Sequence, residues 1–402
     1  MKKCMLVTLV MAFLMVMASS YCSAQVTGVA DTSKEGSLLI WPKVQTNDGN
    51  ETYIIIVNDT TRPVDVKCYW EVKDVPTNQT STCLLSDFVI QLTKNDPVVF
   101  KASDGTGLGG DGVAAGMGTG EKGALKCWAV DASDSKQISW NHLGGFALIV
   151  NTTTALPGTS VMEYSAWRFA ANVVDNTDPL NRHFADGYWV GLTTDDVDTL
   201  ALGGTPTITY IQNQNVSTSP FYCRSPYTRA TCSLPSAVYD ACPVYLTFDF
   251  LAEPNSVPGF AINDLSLVPC KEDFTGGPST QTDLVFTIWN ENEVKFTGMY
   301  ACANCVYEAY LGKLLVGRTN RTFTVSNLHT SSGRFRVDGL KGTKCPGSDK
   351  TSLVGVMATR LTAGPGSTDL VATNGTGSGK QNADPGYIMW TPGGAYQEKP
   401  SR

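Results

Sequence analysis

Val64-Asp-Val-Lys-Cys-Tyr-Trp70 alternates with period two, so Val64, Val66, Cys68 and Trp70 share one face of an extended chain. Similar runs surround it, at Leu38 to Val44, Thr52 to Val57, Phe88 to Thr93, Val98 to Ser103, Gly123 to Val130 and Gly145 to Val150. They are rich in Val, Ile, Tyr, Trp and Thr and separated by Asn, Asp, Gly and Pro clusters, the spacing of an antiparallel sandwich. Seven strands over roughly 115 residues is an immunoglobulin-like count. A second set follows at Val244 to Ala252, Leu265 to Pro269, Leu284 to Trp289, Phe296 to Cys302, Arg321 to Ser326, Gly333 to Val337 and Leu353 to Ala358. The expected fold is all-β, with two immunoglobulin-like antiparallel β-sandwiches stapled by disulfides.

The two sets repeat motifs in order, which points to an internal duplication. Ile56-Val-Asn58-Asp59 matches Ile288-Trp-Asn290-Glu291, Cys68-Tyr69 matches Cys302-Ala303, Phe100 to Gly105 matches Phe335 to Gly339, and Leu143-Gly-Gly matches Leu353-Val-Gly355. Ahead of the first set, Lys2 and Lys3, the apolar run Met5 to Met17, and Cys22-Ser-Ala24 have the form of a secretory signal peptide cut after Ala24. The expected organisation is a signal peptide at 1–24, a linker at 25–36, the first sandwich at 37–180, a Cys-containing connecting segment at 181–236, the second sandwich at 237–362, and a flexible Gly/Thr/Ser-rich tail at 363–402. Between Asn151 and Val238, Tyr164 to Phe169, Tyr188 to Val190 and Ile208 to Ile211 read as further strands.

The 402 residues carry a net charge of −7 with only 17 % charged residues. An acidic chain of this kind presents no field that would draw in nucleic acid. Three histidines supply little material for acid–base or metal chemistry. Removal of Cys4 and Cys22 from the 12 cysteines leaves ten, and an even number in an exported chain reads as disulfides. They are Cys68, Cys83, Cys127, Cys223, Cys232, Cys242, Cys270, Cys302, Cys305 and Cys345. Proximity favours Cys68 with Cys83 or Cys127, Cys223 with Cys232, and Cys242 with Cys270. Cys302-Ala-Asn-Cys305 has redox-motif spacing, but Val306 to Tyr310 continues as a strand where a thioredoxin-like site needs a helix, so a structural bridge is expected.

Several stretches resemble an uncharacterised family of secreted bacterial β-sandwich proteins. They are Ser37 to Pro42, Ile56-Val-Asn58, Asp87-Phe88 with Gln91 to Thr93, Ala102 to Gly105, Asn141 to Gly144, Tyr239 to Pro243, Leu265 to Cys270 with Glu272 to Phe274, and Asn290 to Glu293. The resemblance spans about residues 37 to 357. It implies export and a β-rich fold and brings no activity, cofactor or catalytic residue.

The Gly-rich stretch from Gly105 to Gly123 reads as a flexible hairpin loop, with Asp104 and Asp111 as weak Ca²⁺ candidates; Asp195, Asp196 and Asp198 are a second weak set. His142, His183 and His329 lie far apart, with no nucleophile motif beside them. Trp189 and Trp289 are the aromatic residues most open to a ligand role. No catalytic residue and no cofactor is expected. The expected function is that of an exported, non-catalytic structural, adhesion or filament-type protein of the cell surface or matrix, partnered by a protein, a glycan or a second copy of itself. The alternative is a secreted carbohydrate-binding or glycoside-hydrolysing protein.

Overall fold

The computed structural model describes residues 30–73, 83–130, 140–151 and 160–171. In the carboxy-terminal half it describes mainly 245–254, 261–270, 281–313, 323–340 and 353–361, with short strand fragments elsewhere. The signal peptide expected at 1–24 lies outside the described residues.

The first sandwich contains β1 (Leu38–Gln45), β2 (Asn50–Asn58), β3 (Val64–Lys73), β4 (Cys83–Leu92), β5 (Asp96–Lys101), β6 (Lys122–Val130), β7 (Leu143–Asn151), β8 (Ser160–Ser165) and β9 (Trp167–Phe169). One sheet has the order β4-β3-β6-β1-β9, the other β5-β2-β7-β8. All seven expected runs are strands. Tyr164 to Phe169 supplies two more, β8 in one sheet and β9 in the other, with the crossover at Ala166, whose N–H donates to Gly145 O. Val64, Val66, Cys68 and Trp70 point into the core with Leu39, Trp41, Phe88 and Phe100.

The second sandwich contains β10 (Leu246–Leu251), β11 (Ala261–Pro269), β12 (Gln281–Asn290), β13 (Lys295–Asn304), β14 (Tyr307–Tyr310), β15 (Ser332–Leu340), β16 (Leu353–Leu361) and β17 (Thr373–Thr376). Its sheets run β14-β11-β16-β17 and β10-β15-β12-β13. Phe248, Phe250, Phe286, Phe323 and Phe335 fill its core, with ring centroids 4.9 to 6.0 Å apart.

Four stacked layers result, because the β1-containing sheet of the first sandwich lies against the β11-containing sheet of the second. Leu38, Ile40, Tyr69 and Trp128 point away from their own core and join Val268, Val354, Leu246 and Phe286 in a single apolar cluster. A sheet covered on both faces leaves no residue for water, and every residue of β1 is buried.

Four sequence readings change. Residues 30–36 are not a free linker: Asp31 and Arg168 exchange backbone hydrogen bonds, and Gly36 pairs with Leu143. Arg321 to Ser326 is not one strand, since Val325–Leu328 forms a single helical turn, α1, ended by His329 at φ 57°. The tail contributes β17, which pairs Thr376 with Val356. The Gly105 to Gly123 stretch is a folded cap over the first core. Gly105 at φ 73° brings its own backbone so close to Ala114 that a Cβ would lie 1.9 Å from the Ala114 carbonyl oxygen, Trp70 Nε1 donates to Ala115 O at 2.8 Å, and Met117 is buried. Glycine content reads as flexibility, whereas here it permits close packing.

The motif repeat survives in part. β12 pairs with β15 as β2 pairs with β5, and β11 with β16 as β1 with β6. The side chains of Asn58 and Asn290 both tie the turn that follows to a distant segment: Asn58 Nδ2 donates to Arg62 O and Thr93 O, and Asn290 Oδ1 accepts from the Asn292 and Val294 N–H groups while its Nδ2 donates to Leu328 O. β7 lies beside β2 while β16 lies beside β11, so the Leu143 and Leu353 stretches occupy different places.

Candidate functional site between the sandwiches

The chemistry-bearing side chains that the fold concentrates lie where the two inner sheets meet. Their placement starts at Pro42. Trp41 pairs with Leu125 and Val44 with Gly123, so Pro42 and Lys43 together oppose the single residue Ala124. This is a β-bulge at a residue that has no N–H to give the ladder. It reverses the alternation of β1: Leu38 and Ile40 face the second sandwich before the bulge, Lys43 and Gln45 after it.

Lys43 therefore enters the interface with its side chain 1 % exposed. It meets a constellation built by register, in which Ser266 of β11 pairs with Glu308 of β14 and Asp264 stands two residues earlier on the same face. Lys43 Nζ lies 2.7 Å from Asp264 Oδ2, 3.3 Å from Ser266 Oγ and 3.5 Å from Glu308 Oε1. Ser266 Oγ donates to Glu308 Oε1 at 3.1 Å, and Lys122 Nζ stands 3.6 Å from Glu308 Oε2. Burial alone would pull the Lys43 ammonium down, but the charges of Glu308 and Asp264, with their hydrogen bonds, outweigh it and hold Lys43 above the ordinary lysine range. The Tyr164 hydroxyl donates to the backbone carbonyl of Lys43, and burial pushes that phenol up.

A second buried pair lies on the same sheet face. Lys126 Nζ is 2.9 Å from Glu71 Oε1, both side chains 0 % exposed, and it also donates to the Pro269 carbonyl across the interface at 3.2 Å. Trp167 Nε1 donates to Gly355 O at 2.9 Å. Two charged pairs taken out of water between apolar sheets are costly unless geometry satisfies them, so these contacts set how the sandwiches seat on each other.

Two disulfides are placed within the described residues. Cys68–Cys127 joins β3 and β6, directly paired neighbours in one sheet; an immunoglobulin bridge instead crosses between sheets. Cys302 bonds to Cys345, and Cys305 and Cys270 are disulfide-bonded as well. The Cys302/Cys305 pair is thus split, with Cys302 committed to Cys345, and does not form a dithiol. Cys223 and Cys242 lie outside the described residues, as do the side chains of Cys83 and Cys232.

The other expected positions are dispersed. Asp104 Oδ1 accepts from the Thr106 N–H and hydroxyl at 2.9 and 2.7 Å, and Asp111 lies exposed in the glycine cap. Among the described residues no group of three or more His, Cys, Asp or Glu gathers as a metal site. Asp195, Asp196, Asp198, His183 and Trp189 lie outside the described residues. His142 Nδ1 stands 3.1 Å from Asp59 Oδ1, His329 ends α1, and Trp289 is half-buried with Lys295 Nζ 6.0 Å from its ring centroid.

The interface lysines were missed by sequence reasoning, which reads a charge within a strand as solvent-facing. The available signal was that Leu38 to Gln45 and Gly123 to Val130 are apolar on both faces, the pattern of a doubly covered sheet. Compared with known proteins, the chain matches no family model and no curated protein.

Proposed function

We propose that the chain is an exported, non-catalytic structural, adhesion or filament-type protein of the cell surface or extracellular matrix. One observation carries this reading: the two sandwiches share a continuous apolar cluster and a buried ionic seam, so they move as one stiff body. Independent sandwiches on a flexible linker can close over a substrate, whereas a welded pair holds its loops and edges at a fixed separation. Disulfides belong to an oxidising compartment, and no helix among the described residues is long and apolar enough to cross a membrane. The leader at residues 1–24 and the resemblance to secreted bacterial proteins point the same way. The outer side of β4 pairs with no strand among the described residues, which leaves a ten-residue edge able to accept a partner strand.

Fractionation of the native organism followed by chemical cross-linking tests the proposal. Recovery in the envelope or medium, with a mature start at Gln25 and cross-links to a surface component or a second copy, is the expected result. Recovery in the cytoplasm, or hydrolysis of a polysaccharide by the purified protein, would overturn it.

A further inference from the structure

We propose that Lys43 and Asp264 become joined by an intramolecular amide bond, Nζ to Cγ, which welds the first sandwich covalently to the second. The Lys43 amine and the Asp264 carboxyl stand 2.7 Å apart, on residues 221 positions apart in the chain, and a third group, Glu308, places Oε1 3.5 Å from the same Nζ. The Lys43 side chain is 1 % exposed and that of Glu308 is 6 % exposed. A salt bridge that only fixed the docking angle would need no second buried carboxylate, and placing one there adds a desolvation cost.

The step balances without any co-reactant. Lys43 begins as an ammonium and Asp264 as a carboxylate, and one proton passes along their contact from Nζ to Oδ2, against the hold that the two carboxylates keep on the ammonium, leaving in a minor fraction a neutral amine against a carboxylic acid. The Nζ lone pair adds to Cγ. Glu308, with Oε1 3.5 Å from Nζ, takes the second proton from nitrogen and returns it to the departing oxygen. The Cγ–O bond breaks, one water leaves, and Glu308 ends as it began. Ser266 Oγ, between Nζ and Glu308 Oε1 at 3.3 and 3.1 Å, keeps the two aligned. The hydroxyl of Tyr164 fixes the backbone from which Lys43 projects. The Asp264 side chain is 35 % exposed, which gives the released water an exit.

Two effects drive the condensation. Amine and carboxyl held in contact by a folded scaffold reach effective concentrations of roughly 10⁵ M or more, which accelerates a condensation that is slow in dilute solution. The product is a neutral amide, so two charges that are expensive to bury disappear. The bond forms wherever the chain has folded and does not depend on export, so its failure would leave the proposed function untouched.

The test is the intact mass of the purified full chain, reduced and alkylated so that disulfides do not contribute. The expected mass is lower than the sequence mass by one water, and proteolysis should release a branched peptide joining the segment around Lys43 to that around Asp264. Glu308→Gln should fold, as read by circular dichroism, and show the full mass with no branched peptide; Lys43→Arg should do the same. A wild-type chain of full mass overturns the proposal, as does a water-mass deficit that maps elsewhere, for example to Lys126 and Glu71. Retention of the branched peptide in Glu308→Gln would overturn the proton-transfer role of Glu308.

Discussion

Replacing Lys126 by Met removes the ammonium that faces Glu71 at 2.9 Å in a setting where both side chains are 0 % exposed. Methionine fills nearly the same volume, so the packing of the sheet face is preserved and the loss is electrostatic. Removing one member of a buried pair costs about 3–5 kcal/mol, because the other charge must be desolvated without it. In a unit of this size each kcal/mol moves the melting temperature by roughly 2–4 °C, so Lys126→Met should melt on the order of 6–20 °C below the parent. The contact from Lys126 Nζ to the Pro269 carbonyl is also lost, placing the damage at the seam. Glu71→Leu combined with Lys126→Met removes both charges and should recover most of the loss. The assay is thermal and urea denaturation of the oxidised protein for the parent, both single variants and the double. A Lys126→Met penalty below about 1 kcal/mol, the range of exposed pairs, would refute the claim that the seam is dry. A double variant that is simply the sum of the two singles would refute the coupling.

Other expectations follow from the same geometry. Trp128, fully buried and stacked on Tyr69 with ring centroids 5.3 Å apart, is a main apolar contributor to the interface, and Trp128→Ala should cost about 3–5 kcal/mol in the same denaturation assay. Gly105→Ala should destabilise by about 1–3 kcal/mol and open the glycine cap to limited proteolysis near Met117, since φ is 73° and the new Cβ would overlap the Ala114 carbonyl. Hydrogen bonds from the Thr106 hydroxyl and N–H hold the Asp104 carboxyl below the usual aspartate range. A depressed carboxyl stabilises the fold above its unfolded pKa and loses that contribution as pH falls through the folded value. Thr106→Val should therefore return Asp104 toward the ordinary range in a carbon-detected NMR titration.

The strands were legible because period-two patterns bounded by turn residues are local, as in Val64 to Trp70, and each predicted run of the first sandwich is present. Cys68–Cys127 was within reach for the same reason, since both residues lie on core-facing positions. The seam was not legible. Whether Lys43 faces water or protein depends on a bulge at Pro42 and on partners at positions 264 and 308, and no local pattern encodes that proximity. The glycine cap misled in the opposite sense, because composition alone does not separate a loop that is glycine-rich for mobility from one that is glycine-rich for close backbone contact. The structural bridge expected at the Cys302/Cys305 motif is present as Cys302–Cys345, but a partner 43 positions away is not encoded in the local spacing.

The claim that the two sandwiches form one body is tested most directly by differential scanning calorimetry of the oxidised, full-length protein. Because the apolar cluster, the Lys43–Asp264 pair and the hydrogen bond from Lys126 Nζ to the Pro269 carbonyl cross the interface, a single cooperative transition is predicted, with van't Hoff and calorimetric enthalpies in agreement. Two resolved transitions, one for each sandwich, would contradict it.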